Sequence, residues 1–188
     1  MIIAITGTPG VGKTTLAKLL SAELGLEYVD FESLLIEKQL YTEYDEESQS
    51  YVINIEAARN YFKNYEFTDS ILDGHNVILI YPCEKITKII LLRCSPYILY
   101  TRLIEKGFPE RKVLENVQAE ILDLIASDVY SKCDSKKVLQ VDVSKGVTSK
   151  LNKIMNFIRS EIGHEESDIV DWLELIKNNG DLDKFFRY

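Results

Sequence analysis

The chain has 188 residues, of which 46% are hydrophobic and 28% are charged, and it carries a formal net charge of −8. This length suits one domain with a sizeable core, or one domain with small insertions, and the composition is that of an ordinary globular protein. The acidic balance argues against a dominant nucleic-acid-binding surface but permits a basic protein partner, and no apolar run approaches the roughly 18 residues of a membrane span.

The chain begins with an apolar run, Met1–Thr6, that predicts a buried parallel strand. It is followed by Gly7-Thr8-Pro9-Gly10-Val11-Gly12-Lys13-Thr14, which matches the complete phosphate-binding pattern G-x-x-x-x-G-K-S/T. A helix is predicted from Thr14 to Leu24, where leucines recur at helical spacing. A chance match with both flanks in place is rare, so the pattern predicts binding of a nucleoside triphosphate.

Each part of this loop has a chemical reason. Glycines let backbone N–H groups approach phosphate oxygens closely, and the following helix points its positive end at them. Lys13 is expected to reach the β- and γ-phosphates of ATP as a mobile charge, and the Thr14 hydroxyl is a candidate Mg²⁺ ligand.

Strand and helix patterns alternate along the rest of the chain. They predict a strand at Leu26–Asp30, a helix at Phe31–Leu40, an acidic, tyrosine-rich loop at Tyr41–Tyr51, a helix at Asn54–Phe62, and strands at Ser70–Asp73 and Ile86–Arg93. They continue with a helix at Pro96–Lys106, a break at Gly107–Pro109, one long helix at Glu110–Lys132, a fifth strand at Lys137–Val143, and helices at Val147–Ile162 and about Ser167–Asn178.

This alternation predicts a three-layer α/β fold, in which helices cover both faces of a parallel five-stranded sheet and nucleotide binds at the carboxyl ends of the strands. The apolar face of the long helix is predicted from Leu114, Val117, Ile121, Leu124 and Ile125, and that of the last helix from Ile169, Trp172, Leu173 and Ile176.

The three cysteines, Cys83, Cys94 and Cys133, are far apart and form neither a C-x-x-C pair nor a zinc-type cluster with histidine. Their odd number, without a recognisable signal peptide, predicts reduced thiols and a cytoplasmic location. Cys94 lies in an apolar, strand-like stretch and is interpreted as a small core residue.

The third predicted strand ends in Leu72-Asp73-Gly74-His75. An acidic residue at this place beside a phosphate-binding loop is suited to hold Mg²⁺ directly or through water, which makes Asp73 a candidate metal ligand and catalytic residue. The alternative is a strand-end turn, since Asp-Gly is a common turn dipeptide. His75 either orients a water or a phosphate or has only a structural role.

The remaining motifs narrow the class of nucleotide-binding protein. The guanine-reading motif N-K-x-D of GTPases is absent, and the chain is short for a large AAA-type ATPase. A loop that starts at residue 7, with a short helical insertion after the second strand, is typical of kinases of the nucleoside monophosphate kinase type.

Taken in order, the motifs resemble the small adenylate kinases of the CINAP type (coilin-interacting nuclear ATPase, adenylate kinase isoenzyme six), with archaeal members. The resemblance covers roughly residues 2–160. It rests on Gly7 to Thr15, Gln39-Leu40-Tyr41, Tyr44-Asp45-Glu46-Glu47, Leu72 to His75, Leu92-Arg93-Cys94-Ser95-Pro96, Leu99-Tyr100-Thr101-Arg102-Leu103, Lys106-Gly107-Phe108 and Glu115 to Ile121.

The resemblance implies transfer of phosphate from ATP to AMP or another nucleoside monophosphate, together with ATP hydrolysis. It also implies a part in late maturation of the small ribosomal subunit and transient binding to that subunit's platform protein. By position, it assigns ATP binding to Gly10, Gly12, Lys13, Thr14 and Thr15. It further implies a kinase core over 1–162, with a monophosphate-binding segment at about 30–53 and a lid at about 105–115. The C-terminal helical extension predicted over 163–188 has no counterpart in the family pattern.

Three positions depart from the family pattern. Gly74 stands where the family has Tyr, and Lys106 stands where Arg is expected, so the charge is kept but the bidentate fork is lost. Lys106 is therefore predicted to contact ATP as a single charge. Ile36 stands where the monophosphate segment is expected to carry Arg, which predicts weaker affinity for AMP and leaves ATP hydrolysis untouched.

The hypothesis for the reaction uses Lys13, Asp73 and His75 as catalytic residues. Lys13 and backbone amides neutralise phosphate oxygens, Thr14 and Asp73 hold Mg²⁺, and His75 places a hydrolytic water when no acceptor is bound. Lid closure is expected to bring Lys106, with Arg102 or Arg111, over the phosphates, although both arginines equally suit surface positions.

Two other functions remain open from the sequence. The acidic-aromatic segment with Glu43, Asp45, Glu46 and Glu47 beside Tyr41, Tyr44 and Tyr51 suits an ATP-switched assembly factor that receives a basic ribosomal protein, although it equally suits a mobile loop that folds over AMP. A metabolic kinase of the cytidylate or shikimate type is the other alternative.

Overall fold

The structure is a computed structural model that describes residues 1–46, 49–160 and 166–186. In chain order it contains β1 (Ile2–Thr6), α1 (Lys13–Leu24), β2 (Glu27–Asp30), α2 (Phe31–Glu37), β3 (Tyr41–Asp45), β4 (Ser50–Ile53), α3 (Ile55–Phe62), β5 (Ser70–Asp73), α4 (Val77–Ile80), β6 (Lys88–Arg93), α5 (Pro96–Glu105), α6 (Glu110–Ile121), α7 (Leu124–Lys132), β7 (Val138–Asp142), α8 (Leu151–Arg159), α9 (Trp172–Asn178) and α10 (Leu182–Phe185). Short 3₁₀ turns occupy Cys83–Lys85, Ser135–Lys137 and Val147–Lys150.

The described strands confirm the predicted parallel sheet. Five of them pair in the order β2-β5-β1-β6-β7, and every pairing in this sheet is parallel. Residues of β1 point alternately to the two faces, so that Ile3 and Ile5 join one core cluster and Ile2 and Ala4 join the other. Both faces are covered by helices, which explains why β1 reads as one continuous apolar run.

The sheet register brings three strand ends together. Ile5 of β1 is opposite Asp73 of β5, and Asp73 is opposite Asp30 of β2. The phosphate-binding loop leaves β1 at this same edge, because it follows Thr6 directly. Strand order therefore places the loop beside Asp73, as predicted for ligand sites in α/β sheets.

The acidic, tyrosine-rich segment is not the loop that its lack of helical periodicity predicts. Strands β3 and β4 pair antiparallel across it. The Tyr51 ring contacts Tyr41 and Tyr44, with centroids 4.5 and 5.0 Å apart. A two-stranded ribbon buries little of either face, so apolar alternation is weak and cross-strand tyrosine pairs stabilise it instead. Glu47 of this segment lies outside the described residues.

The single long helix predicted over Glu110–Lys132 is two helices, α6 and α7. They meet at Asp123, whose φ of +55° is left-handed and whose carboxylate accepts a hydrogen bond from Arg93. Asp tolerates this conformation better than most residues, and the bond to Arg93 accounts for the break. Val117 and Ile121 of the predicted apolar face are buried, but Leu124 is 53% exposed.

The C-terminal helix is shorter than predicted, since it begins at Trp172 and not near Ser167. Residues before it line the edge of β7: the Asp168 N–H donates to the Gln140 carbonyl, and the Ser167 hydroxyl accepts the Gln140 N–H. Because Ser167 and Asp168 bond to the edge strand β7, this stretch of backbone is extended and does not form a helix. Ile169 is accordingly 97% exposed, whereas Trp172 and Ile176 are buried.

Other helix ends also differ. Helix α2 ends at Glu37 and not at Leu40, and Gln39 beyond it has a φ of +56°. The helix predicted at Val147–Ile162 begins with a 3₁₀ turn and is regular only in α8, and Ile162 lies outside the described residues. Across the described ranges, no helix combines the length and apolar character that crossing a bilayer requires.

The prediction of reduced thiols is wrong for two of the three cysteines. Cys83, after α4, and Cys133, after α7, form a disulfide with Cα atoms 5.4 Å apart. Their separation of 50 residues carries no local pattern, so only the fold reveals the pair. Cys94 is free and fully buried, which confirms it as a core residue, and burial raises the pKa of its thiol to about 11.

Candidate active site

The phosphate-binding loop needs its glycines. Gly7, Gly10 and Gly12 all have positive φ, between 94° and 139°. A Cβ on Gly7 would lie 2.4 Å from the Leu92 carbonyl oxygen of the neighbouring strand, a separation that no side chain tolerates. Helix α1 starts directly after Gly12, so its unpaired N–H groups and positive end face the loop.

The Lys13 ammonium group lies against this loop. Its Nζ donates to the carbonyl oxygens of Gly7 at 2.8 Å and Thr8 at 3.2 Å. Burial lowers the pKa of Lys13 to about 8, while the carboxylates of Asp73 and Glu32 act in the opposite direction. The group is thus a cation near neutral pH, held by carbonyls that phosphate oxygens are able to replace.

Thr14 and Asp73 form the second feature of the site. The Thr14 hydroxyl donates to Asp73 Oδ2 at 2.6 Å, and the Tyr28 hydroxyl donates to the same oxygen at 3.2 Å. Burial raises the pKa of Asp73, against the opposing effects of Thr14, Lys13 and Tyr28. A hydroxyl and a carboxylate side by side next to a phosphate loop are the oxygen ligands that Mg²⁺ prefers, so these residues fit the ion.

Tyr28 was not among the residues that the sequence singles out. It lies on β2, and it reaches Asp73 only because β2 pairs with β5 in the sheet. Burial and the neighbouring Asp73 carboxylate raise the pKa of Tyr28 to about 12, so its hydroxyl remains a donor.

His75 is held by a carboxylate that the sequence also did not indicate. Its Nδ1 lies 3.0 Å from Glu32 Oε1, at the first turn of α2. The Asn76 backbone N–H and side-chain amide both donate to Glu32 at 3.3 Å. Burial would raise the pKa of Glu32, but the hydrogen bonds from His75 and Asn76 outweigh it and lower the pKa.

Crowding around Gly74 fits this arrangement. A Cβ at Gly74 would lie 3.1 Å from the Phe31 Cβ, 3.2 Å from Val77 Cγ2 and 3.3 Å from Glu32 Oε1. The glycine therefore lets α2 approach β5 closely enough for Glu32 to reach His75.

A cavity of about 850 Å³ joins these groups. Lys13, Thr14, Asp73 and His75 all line it, so the structure brings together the predicted catalytic and metal-binding residues. Its other walls are α2, the β3–β4 hairpin and α6, which contribute among others Ile36, Tyr44, Asp45, Tyr51, Lys112 and Asn116. This volume is in the range of small-molecule sites.

The charges that line the cavity are mostly negative. Its described carboxylates are Asp30, Glu32, Asp45, Asp73 and Glu115. Its basic side chains are Lys13, Lys112 and His75, and no arginine is among the described lining residues.

The remaining predicted residues lie around the loop and not in the cavity. Thr15 is exposed on α1, next to Thr14. Lys106 is exposed at the end of α5, close enough for its charge to lower the pKa of Lys13.

The two arginines expected over the phosphates are placed elsewhere. The Arg102 guanidinium donates to the carbonyl oxygens of Val11, Val143 and Ser144, at 3.1 to 3.3 Å, and so ties the loop to the segment after β7. Arg111 is exposed and pairs with Glu115 at 3.0 Å on α6. These contacts hold the two guanidinium groups against the loop and on α6, and neither arginine is among the described residues that line the cavity.

Comparison with known proteins gives the family. A family model described as "AAA domain" matches residues 3–123. The chain is 41% identical over 178 residues to a Methanocaldococcus jannaschii protein named "Putative adenylate kinase", covering 93% of this chain and 94% of that protein. A protein of the same name from Sulfurisphaera tokodaii is 38% identical, over 93% of this chain and 87% of its own.

Solved structures agree on the fold. A shikimate kinase from Bacteroides thetaiotaomicron superposes with a TM-score of 0.58 at 18% identity, over 85% of this chain and 99% of its own. A deoxyadenosine kinase from M. mycoides superposes with a TM-score of 0.53 at 19% identity, over 85% of this chain and 100% of its own. The match to an AAA domain model was not expected from the sequence, because the chain is short for a large AAA-type ATPase. The fold, the loop and the near-complete match to the archaeal relatives show that the chain belongs to the adenylate kinase-like family of P-loop proteins.

Proposed function

We propose that the protein is a nucleoside monophosphate kinase of the CINAP type, which transfers the γ-phosphoryl group of Mg-ATP to AMP and hydrolyses ATP when no acceptor is bound. The observation that carries this proposal is that the Lys13 ammonium group, the Thr14–Asp73 pair and His75 line the same cavity as the β3–β4 hairpin. ATP phosphates would bind on one side of this cavity and the acceptor on the other, so that the γ-phosphoryl group lies between them. The relatives named for adenylate kinase support the same reaction.

The ATP side is formed by the loop. Gly10 and Gly12 provide close backbone approach, and the N-terminal turn of α1 with Thr14 and Thr15 faces the phosphates. Lys13 exchanges its two carbonyl partners for phosphate oxygens. Thr14 and Asp73 would hold Mg²⁺, which when bound neutralises charge on the phosphates. Lys106 adds a positive charge at the rim.

The acceptor side is formed by the segment at about 30–53 and by α6. Tyr44 and Tyr51 of the hairpin offer aromatic surface for a base, and Lys112 offers a positive charge. We assign the lid to about 105–115, where Lys112 lies over the Phe108 ring at 5.0 Å. In this proposal residues 1–162 are the kinase core and 163–188 are a C-terminal helical extension, and residues 161–165 at this boundary lie outside the described ranges.

Hydrolysis uses the His75–Glu32 pair. Glu32 fixes the ring through Nδ1, and no described residue bonds to the other ring nitrogen. That nitrogen is therefore available to a water in the cavity, which is the position needed to orient attack on the γ-phosphate. Glu32 is a positioning residue for His75 in this scheme.

Two alternatives have a specific observation behind them. The excess of carboxylates in the cavity and the presence of Ile36 favour an acceptor that carries a hydroxyl group and no phosphate, as in a metabolic kinase. The hairpin favours an ATP-switched assembly factor in the cytoplasm, since Tyr44 and Val52 are 50% and 42% exposed beside acidic residues. Such a surface is complementary to a basic partner, for which the family resemblance suggests the platform protein of the small ribosomal subunit.

An acceptor screen tests the proposal. ADP formation from Mg-ATP is measured with AMP, CMP, shikimate or no acceptor, and AMP is expected to give the largest acceleration. If shikimate accelerates ADP formation more than AMP does, the acceptor is a hydroxyl compound and the proposal of AMP as the substrate is wrong. If no acceptor changes the rate, binding of this protein to the purified platform protein is measured in the presence of ATP and again in the presence of ADP. Binding with ATP that is lost with ADP would favour the assembly factor.

A further inference from the structure

A buried carboxylate behind the phosphate-binding loop has no role in the scheme above. Glu120, on α6, is only 2% exposed. Its carboxylate accepts hydrogen bonds from the Arg93 Nε at 2.9 Å, the Cys94 N–H at 3.0 Å and the Trp172 Nε1 at 3.0 Å. The Thr8 hydroxyl donates to its other oxygen at 2.6 Å. A buried charge is stable only when it is paired and hydrogen-bonded, and here several donors satisfy it.

Thr8 makes this cluster relevant to nucleotide binding. It lies inside the phosphate-binding pattern and is 1% exposed. Its carbonyl oxygen accepts a hydrogen bond from Lys13 Nζ, while its side chain is held by Glu120. The loop is therefore fixed at the same residue from the nucleotide side and from the core.

Trp172 connects the cluster to the C-terminal segment. It is the only tryptophan in the sequence, and it begins α9. The segment is bound to the core at further points: Gln118 Nε2 donates to the Phe185 carbonyl at 2.6 Å, and the Tyr97 hydroxyl donates to Asp181 at 2.6 Å. The indole N–H is thus held in a fixed position against the Glu120 carboxylate.

We infer that Glu120 is a positioning residue for the phosphate-binding loop, and that the C-terminal segment takes part in nucleotide binding by holding Glu120 through the Trp172 indole. The inference rests on the proposed function, because it concerns the ATP side of that same site. It gives residues 166–186 a role that the sequence did not indicate. It also predicts that nucleotide binding at the loop changes the environment of the Trp172 indole, because Thr8 and Trp172 donate hydrogen bonds to the same carboxylate.

The test uses the Thr8→Val variant, which replaces the hydroxyl by a methyl group and leaves the Glu120–Arg93 pair in place. The KM for ATP is expected to rise about tenfold, as for loss of a hydrogen bond to a charged group, while the KM for AMP is unchanged. Thr8→Ser restores the hydroxyl and should restore the wild-type KM. Thr101→Val is the matched control, since the one hydrogen bond of the Thr101 hydroxyl to a described residue is the bond it donates to the Tyr97 carbonyl within α5.

A purely structural role would lower the active fraction and hence kcat without moving the KM for ATP. A wild-type KM in the Thr8→Val variant would overturn the inference. The Trp172→Phe variant, which keeps an aromatic ring at this position and loses the indole N–H, is expected to raise the KM for ATP as well. An unchanged KM there would remove the C-terminal segment from the inference.

Intrinsic fluorescence gives a second readout that does not depend on turnover. Titration of the wild-type protein with Mg-ATP is expected to change Trp172 emission with the same midpoint as calorimetry, and the change should be lost in Thr8→Val at saturating nucleotide. Calorimetric binding without any change in emission would overturn the inference and leave the proposed function standing. Absence of calorimetric binding in the wild type would overturn both.

Discussion

Replacing Glu32 by Gln preserves the shape of the side chain and removes its charge from His75. The pair has its Nδ1 and Oε1 atoms 3.0 Å apart, and two donors from Asn76 fix the carboxylate from the other side. A hydrogen bond to a charged group is worth about 1.5–3 kcal/mol, so Glu32→Gln should slow ATP hydrolysis about 10- to 100-fold if the bond orients the ring in the transition state. His75→Ala should slow hydrolysis at least as much.

The assay is phosphate release from saturating Mg-ATP without AMP, with ATP affinity measured separately by calorimetry. Affinity should stay within about twofold of the wild type in both variants, because neither residue belongs to the phosphate loop. The double variant should be no slower than His75→Ala alone, since Glu32 acts through the histidine. Glu37→Gln is the control, because Glu37 lies on the same helix and its one ion-pair partner among the described residues is Lys38, at the surface.

Two results would refute this reasoning. The first is wild-type hydrolysis in Glu32→Gln. The second is loss of ATP binding in His75→Ala, which would make the histidine part of the nucleotide site.

Further predictions concern the loop, the acceptor and stability in acid. Lys13→Ala should abolish both kinase and ATPase activity in the ADP and phosphate assays, and activity equal to the wild type would contradict the role of Lys13. Ile36→Arg should lower the KM for AMP, because it adds a cation to a cavity rich in carboxylates, and an unchanged KM would remove Ile36 from the acceptor site. Burial raises the pKa of Asp168, but hydrogen bonds from Lys150 and Lys153 outweigh it and lower the pKa from 3.8 to about 2. Its stabilisation, about 1 kcal/mol once solvent screening of this partly exposed carboxylate is allowed for, is therefore complete above about pH 5 and is lost as the pH falls toward 2, so acid unfolding of Asp168→Asn should show a smaller decline over that range.

The parts of the fold that the sequence predicts well are those specified locally. The phosphate-binding pattern lies between an apolar strand and a leucine-rich helix, so β1, the loop and α1 follow from adjacent residues. The strands that end at Asp73 and Arg93 follow from short apolar runs in the same way.

The parts that differ depend on distant contacts. The break between α6 and α7 depends on Arg93 reaching Asp123, and the extended path before α9 depends on Ser167 and Asp168 binding β7. Neither partner is near in sequence, so helical periodicity alone continues through both places.

The candidate site shows the same division. Lys13, Thr14 and Asp73 are recognisable from residue type and position, and the structure places them together. Tyr28 and Glu32 belong to no recognisable motif. Each reaches the site because β2 lies next to β5 in the sheet, which the sequence alone does not reveal.

The central claim is phosphoryl transfer to a monophosphate in the shared cavity, and the stoichiometry of the reaction tests it most directly. The purified protein is incubated with Mg-ATP and limiting AMP, and AMP, ADP and inorganic phosphate are quantified together over time. The account predicts two molecules of ADP for each AMP consumed, with little phosphate until AMP is exhausted and slower phosphate release afterwards. Phosphate released in step with ADP from the start, with AMP unconsumed, would contradict it and leave an ATPase.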